Sequence, residues 1–142
     1  MELEQIAGSW KLSSFIYKAE DGSSFYPYGK EASGIIIYDK AGYMSAIITR
    51  TDRPDISTQD FGLLPDEEKL ALAKGFMTYT GKYEILSDRI LHNIEIAYIP
   101  NWVGTSFERF PSLEDGKLIL ATPPVSLRGK TFTGYLVWER PQ

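Results

Sequence analysis

The sequence predicts an all-β protein of about eight antiparallel strands closed into an up-and-down barrel, with one short helix in the long loop near residues 65–75. Three observations predict it. Eight runs are rich in alternating, β-branched and aromatic residues; short polar turns separate most of them; and the aromatic content is 13%, with Tyr, at nine, the commonest of the three types. Sequential antiparallel strands leave two unpaired edges unless the sheet closes, and about eight strands enclose either packed side chains or one small ligand. A two-sheet sandwich is the rival architecture, but it needs long crossover connections that short links do not supply.

The predicted strands are 10–17, 35–38, 43–49, 79–86, 89–98, 105–110, 117–122 and 132–140. Asp39-Lys40-Ala41-Gly42, Leu86-Ser87-Asp88-Arg89 and Glu114-Asp115-Gly116-Lys117 have the length and composition of hairpin turns, so neighbouring strands pair in sequence order. Residues 51–64, with Asp52, Arg53, Pro54, Asp55 and Gly62, read as an irregular loop. It leads into Pro65 and the acids Asp66, Glu67 and Glu68, then strong helix formers before Gly75, which is the pattern of a short helix with an acidic first turn. That helix is expected to cover one end of the barrel. Residues 1–142 are read as one domain, with no internal repeat.

Composition excludes several classes of function. There is no Cys and one His, which removes thiol catalysis, iron–sulfur clusters and the usual zinc sites. No metal or other cofactor is expected. The 15 basic and 19 acidic residues are interspersed, giving a net charge of −4 and no basic footprint for a nucleic acid. Acids near the N-terminus stand where a secretory signal has basic residues, and no apolar run approaches the roughly 20 residues of a membrane span, so a cytoplasmic protein without membrane insertion is expected. The pattern assigns no oligomeric state and does not say which barrel end is open.

Charged residues mark the solvent face of each strand, since successive side chains alternate. Asn93 and Glu95 outside place Ile90, His92, Ile94 and Ile96 inside; Lys82 and Glu84 outside place Tyr79, Gly81, Tyr83 and Ile85 inside; Glu108 outside places Phe107 and Arg109 inside. The same rule turns Trp10, Leu12, Ser14 and Ile16 inward from the first strand, and Leu136, Trp138 and Arg140 from the last. Tyr79, Tyr83, His92 and Arg109 thus project from three successive strands into an apolar interior. An unpartnered guanidinium is expensive to bury, so Arg109 sits at a mouth, is paired inside, or faces a wet cavity. Gly81 and Ala46, beside Tyr83, are expected to leave that cavity open.

Several motifs occur in an order that resembles the bacterial and fungal lipocalin-like domain family. They are Gly8-Ser9-Trp10, similar to the lipocalin G-x-W signature; Tyr28-Gly29; 34–38; 42–46; 79–83; His92; 100–104; Arg109; 118–124; and 137–140. The resemblance spans nearly the whole chain. It implies a barrel with a pocket, an Arg from the terminal strand, here Arg140, packed across Trp10, and relatives in natural-product pathways that act as cyclases or isomerases.

Two functional classes fit these residues. One is a binding barrel for a small hydrophobic molecule with a polar end, held by Tyr79, Tyr83, His92, Arg109 and Phe107, with Trp102 and Asn101 in a loop at an entrance. The other is an isomerase or cyclase acting on a polyketide-like or terpenoid substrate, in which His92 transfers a proton and Arg109 or the Tyr83 hydroxyl stabilises a developing enolate. A third arrangement, a structural barrel with a filled core, requires Arg109 to be paired internally.

Overall fold

The computed structural model describes residues 1–142. The chain runs α1 (Leu3–Ile6), β1 (Gly8–Ala19), β2 (Ser24–Phe25), β3 (Ser33–Tyr38), β4 (Tyr43–Thr49), α2 (Asp66–Ala73), β5 (Phe76–Ile85), β6 (Ile90–Ala97), β7 (Ser106–Glu114), β8 (Lys117–Ala121), β9 (Val125–Leu127) and β10 (Lys130–Glu139). All eight predicted strands are present, and every pairing is antiparallel. The first residues of β1 pair with β3 while the remainder pairs with β10, which closes eight strands into a barrel. The two strands missed by the sequence reading, β2 and β9, are two and three residues long and extend β1 and β10 at one rim. Such short runs carry too little period to be told from loop.

The hairpins follow the turn chemistry. Asp115 and Gly116 both take positive φ, 52° and 77°, as a two-residue turn between twisted strands requires. One end is packed solid. Ile6 of α1, Trp10, Tyr38, Met44, Ile90, Leu118 and Trp138 are each at most 2% exposed. The Trp10 indole donates to the Ile6 carbonyl at 2.8 Å, and the Arg140 guanidinium lies 3.7 Å from the Trp10 ring centre. Arg140 is thus an exposed cap over the closed end rather than an inward residue, and it also donates to the Ser9 and Gln5 carbonyls.

Two bulges correct the predicted faces. In β1, Leu12 pairs with Trp138 but Ser14 with Val137, so Ser13 is an inserted residue. Trp10 and Leu12 face inward as expected, and beyond the bulge it is Phe15 and Tyr17, not Ser14 and Ile16, that reach the cavity. Between β5 and β6, Thr80 pairs with Ile96 and Gly81 with Ile94, so Glu95 is the extra residue and Ile96 turns out to solvent at 70% exposure. Gly81 makes this second bulge sterically feasible, because a Cβ there would stand 1.8 Å from the Asn93 carbonyl oxygen. Its bare backbone is filled by β6 and does not open the interior; Ala46 does line the cavity.

Helix α2 begins after Pro65 with Asp66, Glu67 and Glu68 in its first turn, as the sequence indicates. It does not cover the barrel. None of its residues is buried, Leu70 is 57% exposed, and no residue of α2 lines the cavity. Leu70 and Leu72 give too narrow an apolar stripe to hold so short a helix against a sheet.

Candidate functional site

Inside the barrel lies a cavity of about 680 Å³ with 24 lining residues, of which 16 are hydrophobic. Phe15, Ile36, Ala46, Ile48, Met77, Leu120 and Leu136 form its apolar walls. The rim is aromatic: Phe25 from β2 and Tyr28 from the loop that follows lie on one side, and Trp102 and Phe107 pack edge to face at 5.2 Å on another. Arg128, at the β9–β10 turn with φ 54°, stacks 3.8 Å from the Phe25 ring centre and reaches the same mouth. The open end is therefore the one carrying β2, β9 and Trp102, opposite Trp10.

Polar groups converge on one part of the wall. His92 is fully buried, with Nε2 at 2.6 Å from the Tyr38 hydroxyl and Nδ1 at 2.8 Å from the Tyr79 hydroxyl. Tyr79 and His92 line the cavity, whereas Tyr38 lies behind them, its ring set edge-on to Tyr83 at 4.9 Å. Arg109, half-buried on β7, donates to the Glu108 carbonyl at 2.8 Å, and its guanidinium lies 5.3 Å from the Phe107 ring centre. No carboxylate pairs with it. Trp138 borders the cavity too, its indole N–H without a hydrogen-bond partner.

The charge of Arg109 shapes its neighbours. Burial drives the His92 pKa well below the ordinary imidazole value and the Arg109 charge lowers it further, so the ring is neutral at pH 7. Burial raises Tyr79 and Tyr17 while Arg109 opposes the rise in both. The His92 shift has a consequence for stability. Unfolded, the ring titrates near 6.5; folded, it resists protonation, so below about pH 6.5 the unfolded state binds the extra proton and stability falls with pH, by up to about 1.4 kcal/mol per unit until the folded pKa is reached. Asp52 and Asp88, whose pKa values are lowered by Arg50 and Arg89, lose their contributions only at lower pH. Urea unfolding between pH 7.5 and 5 should show this slope, and a His92→Gln variant should lack it.

Of the residues singled out by the sequence, the structure brings Tyr79, His92, Arg109, Phe107 and Trp102 to the cavity wall. It does not bring Tyr83 or Asn101 there. Tyr83 is inward but belongs to the packed end, where its hydroxyl donates to the Asp39 carbonyl at 2.5 Å. Asn101 is exposed in the turn 100–102, which presents Trp102 to the cavity instead. Sequence reasoning missed Tyr38, Tyr17, Tyr28, Phe25 and Arg128. The run Ser33–Tyr38 has no charged residue to mark its outer face, and Tyr17 is displaced by the β1 bulge.

These features define a class: a closed antiparallel barrel around an internal chamber whose mostly apolar wall carries a cluster of hydroxyl, imidazole and guanidinium groups. The chain belongs to the lipocalin-like domain family, whose model matches residues 7–141. It is 27% identical over 106 residues, 68% of this chain and 96% of the relative, to the 4'-hydroxy-3'-methoxypropiophenone carrier protein ppsC of Aspergillus oryzae (strain ATCC 42149 / RIB 40). Its fold is similar to that of a lipocalin-like protein from Bacteroides uniformis ATCC 8492, with a TM-score of 0.51 and 17% identity, covering 96% of this chain and 99% of that one.

Proposed function

We propose that the protein binds and carries a small hydrophobic molecule with one polar end. The observation that carries this reading is the cavity of about 680 Å³, within the size range of ligand pockets, whose mostly apolar wall is interrupted by Tyr79, His92 and Arg109. An uncompensated guanidinium facing such a space stabilises an oxygen-bearing group more than it stabilises an empty pocket. The carrier reading of the Aspergillus relative points the same way and supplies a first probe, an aromatic ketone.

Carriage is favoured over an isomerase or cyclase acting on a polyketide-like or terpenoid substrate by one feature. Both ring nitrogens of His92 are occupied by tyrosine hydroxyls, and burial opposes its protonation, so it offers no free nitrogen to take a substrate proton. Tyr83, expected with Arg109 as a stabiliser of a developing enolate, is outside the cavity.

Titration with 4'-hydroxy-3'-methoxypropiophenone, read by the fluorescence of Trp102 and Trp138, tests the proposal. Saturable quenching is expected in the wild type, and Arg109→Leu should weaken it about tenfold, roughly the 1.4 kcal/mol of one charge-assisted hydrogen bond. Arg109 is half-buried and held by one backbone bond, so the variant should stay folded. Equal affinities in the two proteins would remove Arg109 from the site.

A further inference from the structure

The three-residue chain Tyr38–His92–Tyr79 has a direction. A neutral imidazole carries one N–H donor and one lone pair, so one tyrosine donates to the ring and the other accepts from it. Tyr38 is fully buried, and the His92 Nε2 is the only hydrogen-bond partner of its hydroxyl. If Nε2 held the proton, the Tyr38 hydroxyl hydrogen would be orphaned among Tyr83, Met44 and the rest of the packed end. One hydroxyl hydrogen is left over in either tautomer, and the arrangement that leaves it beside the cavity rather than in the packed end has Tyr38 donating to Nε2 and the proton on Nδ1, donating to the Tyr79 oxygen at 2.8 Å. Burial and the Arg109 charge keep the ring neutral, so this choice between two tautomers stands at pH 7.

The choice sets the polarity of the site. With Nδ1–H donating to it, the Tyr79 oxygen is an acceptor toward the ring, and its own hydrogen has no protein acceptor and faces the cavity that Tyr79 lines. The opposite tautomer would spend that hydrogen on His92 and turn lone pairs toward the ligand. We infer that Tyr38, acting through His92, fixes Tyr79 as a hydrogen-bond donor into the cavity, so that Tyr79 and Arg109 together select ligands whose polar end is an accepting oxygen, for which a ketone serves as the probe, and reject those ending in an amine. This inference rests on the carrier reading for its ligand half, while the tautomer stands on the protein alone. Tyr38 is a positioning residue in this scheme, since it lies outside the cavity.

His92 is the only histidine in the chain, so its ring nitrogens are unambiguous in a long-range proton–nitrogen correlation spectrum of ¹⁵N-labelled, ligand-free protein at pH 7.5. The expected result is a pyrrole-type Nδ1 and a pyridine-type Nε2. A pyrrole-type Nε2 overturns the inference. Its second arm compares propiophenone, the analogue with a methylene group in place of the carbonyl oxygen, and 1-phenylpropan-1-amine. The ketone should bind at least tenfold tighter than the methylene analogue, and the amine no better than that analogue. In Tyr79→Phe and in Tyr38→Phe the preference for the ketone should fall at least threefold, whereas loss of a merely structural Tyr38 would weaken both ligands equally. Equal binding of ketone and methylene analogue by the wild type overturns the selectivity. If the Nδ1–H form is found and none of the three binds, the carrier reading fails and the tautomer assignment is upheld.

Discussion

Replacing Trp10 with alanine should cost about 3–5 kcal/mol of folding stability, the range for truncating a large aromatic side chain in a core. Trp10 is 2% exposed, its indole nitrogen holds α1 through the Ile6 carbonyl, and Arg140 stacks on its outer face. The substitution therefore removes the ring, releases the Ile6 acceptor and leaves Arg140 without a platform. Urea unfolding monitored by circular dichroism measures the effect. A loss below about 1 kcal/mol would mean that the end opposite the mouth is not closed by this residue. The cavity is lined from elsewhere, so folded Trp10→Ala protein should still bind the ketone.

His92→Ala should be comparably severe, at about 2–5 kcal/mol. It orphans the hydroxyls of Tyr38 and Tyr79, at about 1–3 kcal/mol for each group that stays dry, and opens a void where a fully buried ring stood. Tyr79 borders the cavity and can recover a partner from water directly, whereas water reaches Tyr38 only by filling the void that the ring leaves, so most of the loss is expected from Tyr38. The double variant Tyr38→Phe/His92→Ala checks this apportioning: its stability should be no lower than that of His92→Ala alone, because the orphaned hydroxyl is gone. A further drop of more than about 1 kcal/mol would contradict it. His92 is thus a structural keystone and a wall of the site together, unlike half-buried Arg109, whose removal is expected to tell on binding.

The sequence carried the architecture because eight strands with short polar turns leave few ways to satisfy every strand edge, and because Gly8-Ser9-Trp10 and Arg140 stand where the family resemblance implies an Arg packed across the first-strand Trp. It carried Tyr79, His92, Phe107 and Arg109 because Lys82, Asn93 and Glu108 mark the solvent side of their strands. What it lost was lost to the bulges. One inserted residue reverses every later side chain of a strand, which is why Ile16 and Ile96 were read as inward and Phe15 and Tyr17 were not. Tyr38 was hidden for a different reason. In Ser-Gly-Ile-Ile-Ile-Tyr both faces are apolar, so alternation has nothing to distinguish, and the partner that gives Tyr38 its role lies 54 residues away. Tyr83 shows the converse limit: its face was read correctly, but alternation gives a side and not a depth.

The structure of the complex with 4'-hydroxy-3'-methoxypropiophenone tests the central claim most directly. The ketone should lie inside the barrel, its ring against Phe15, Ile48 and Met77, with its carbonyl oxygen within hydrogen-bond distance of the Tyr79 hydroxyl or the Arg109 guanidinium. A ligand seated outside the barrel, or inside it with the carbonyl turned away from both groups, would contradict the account.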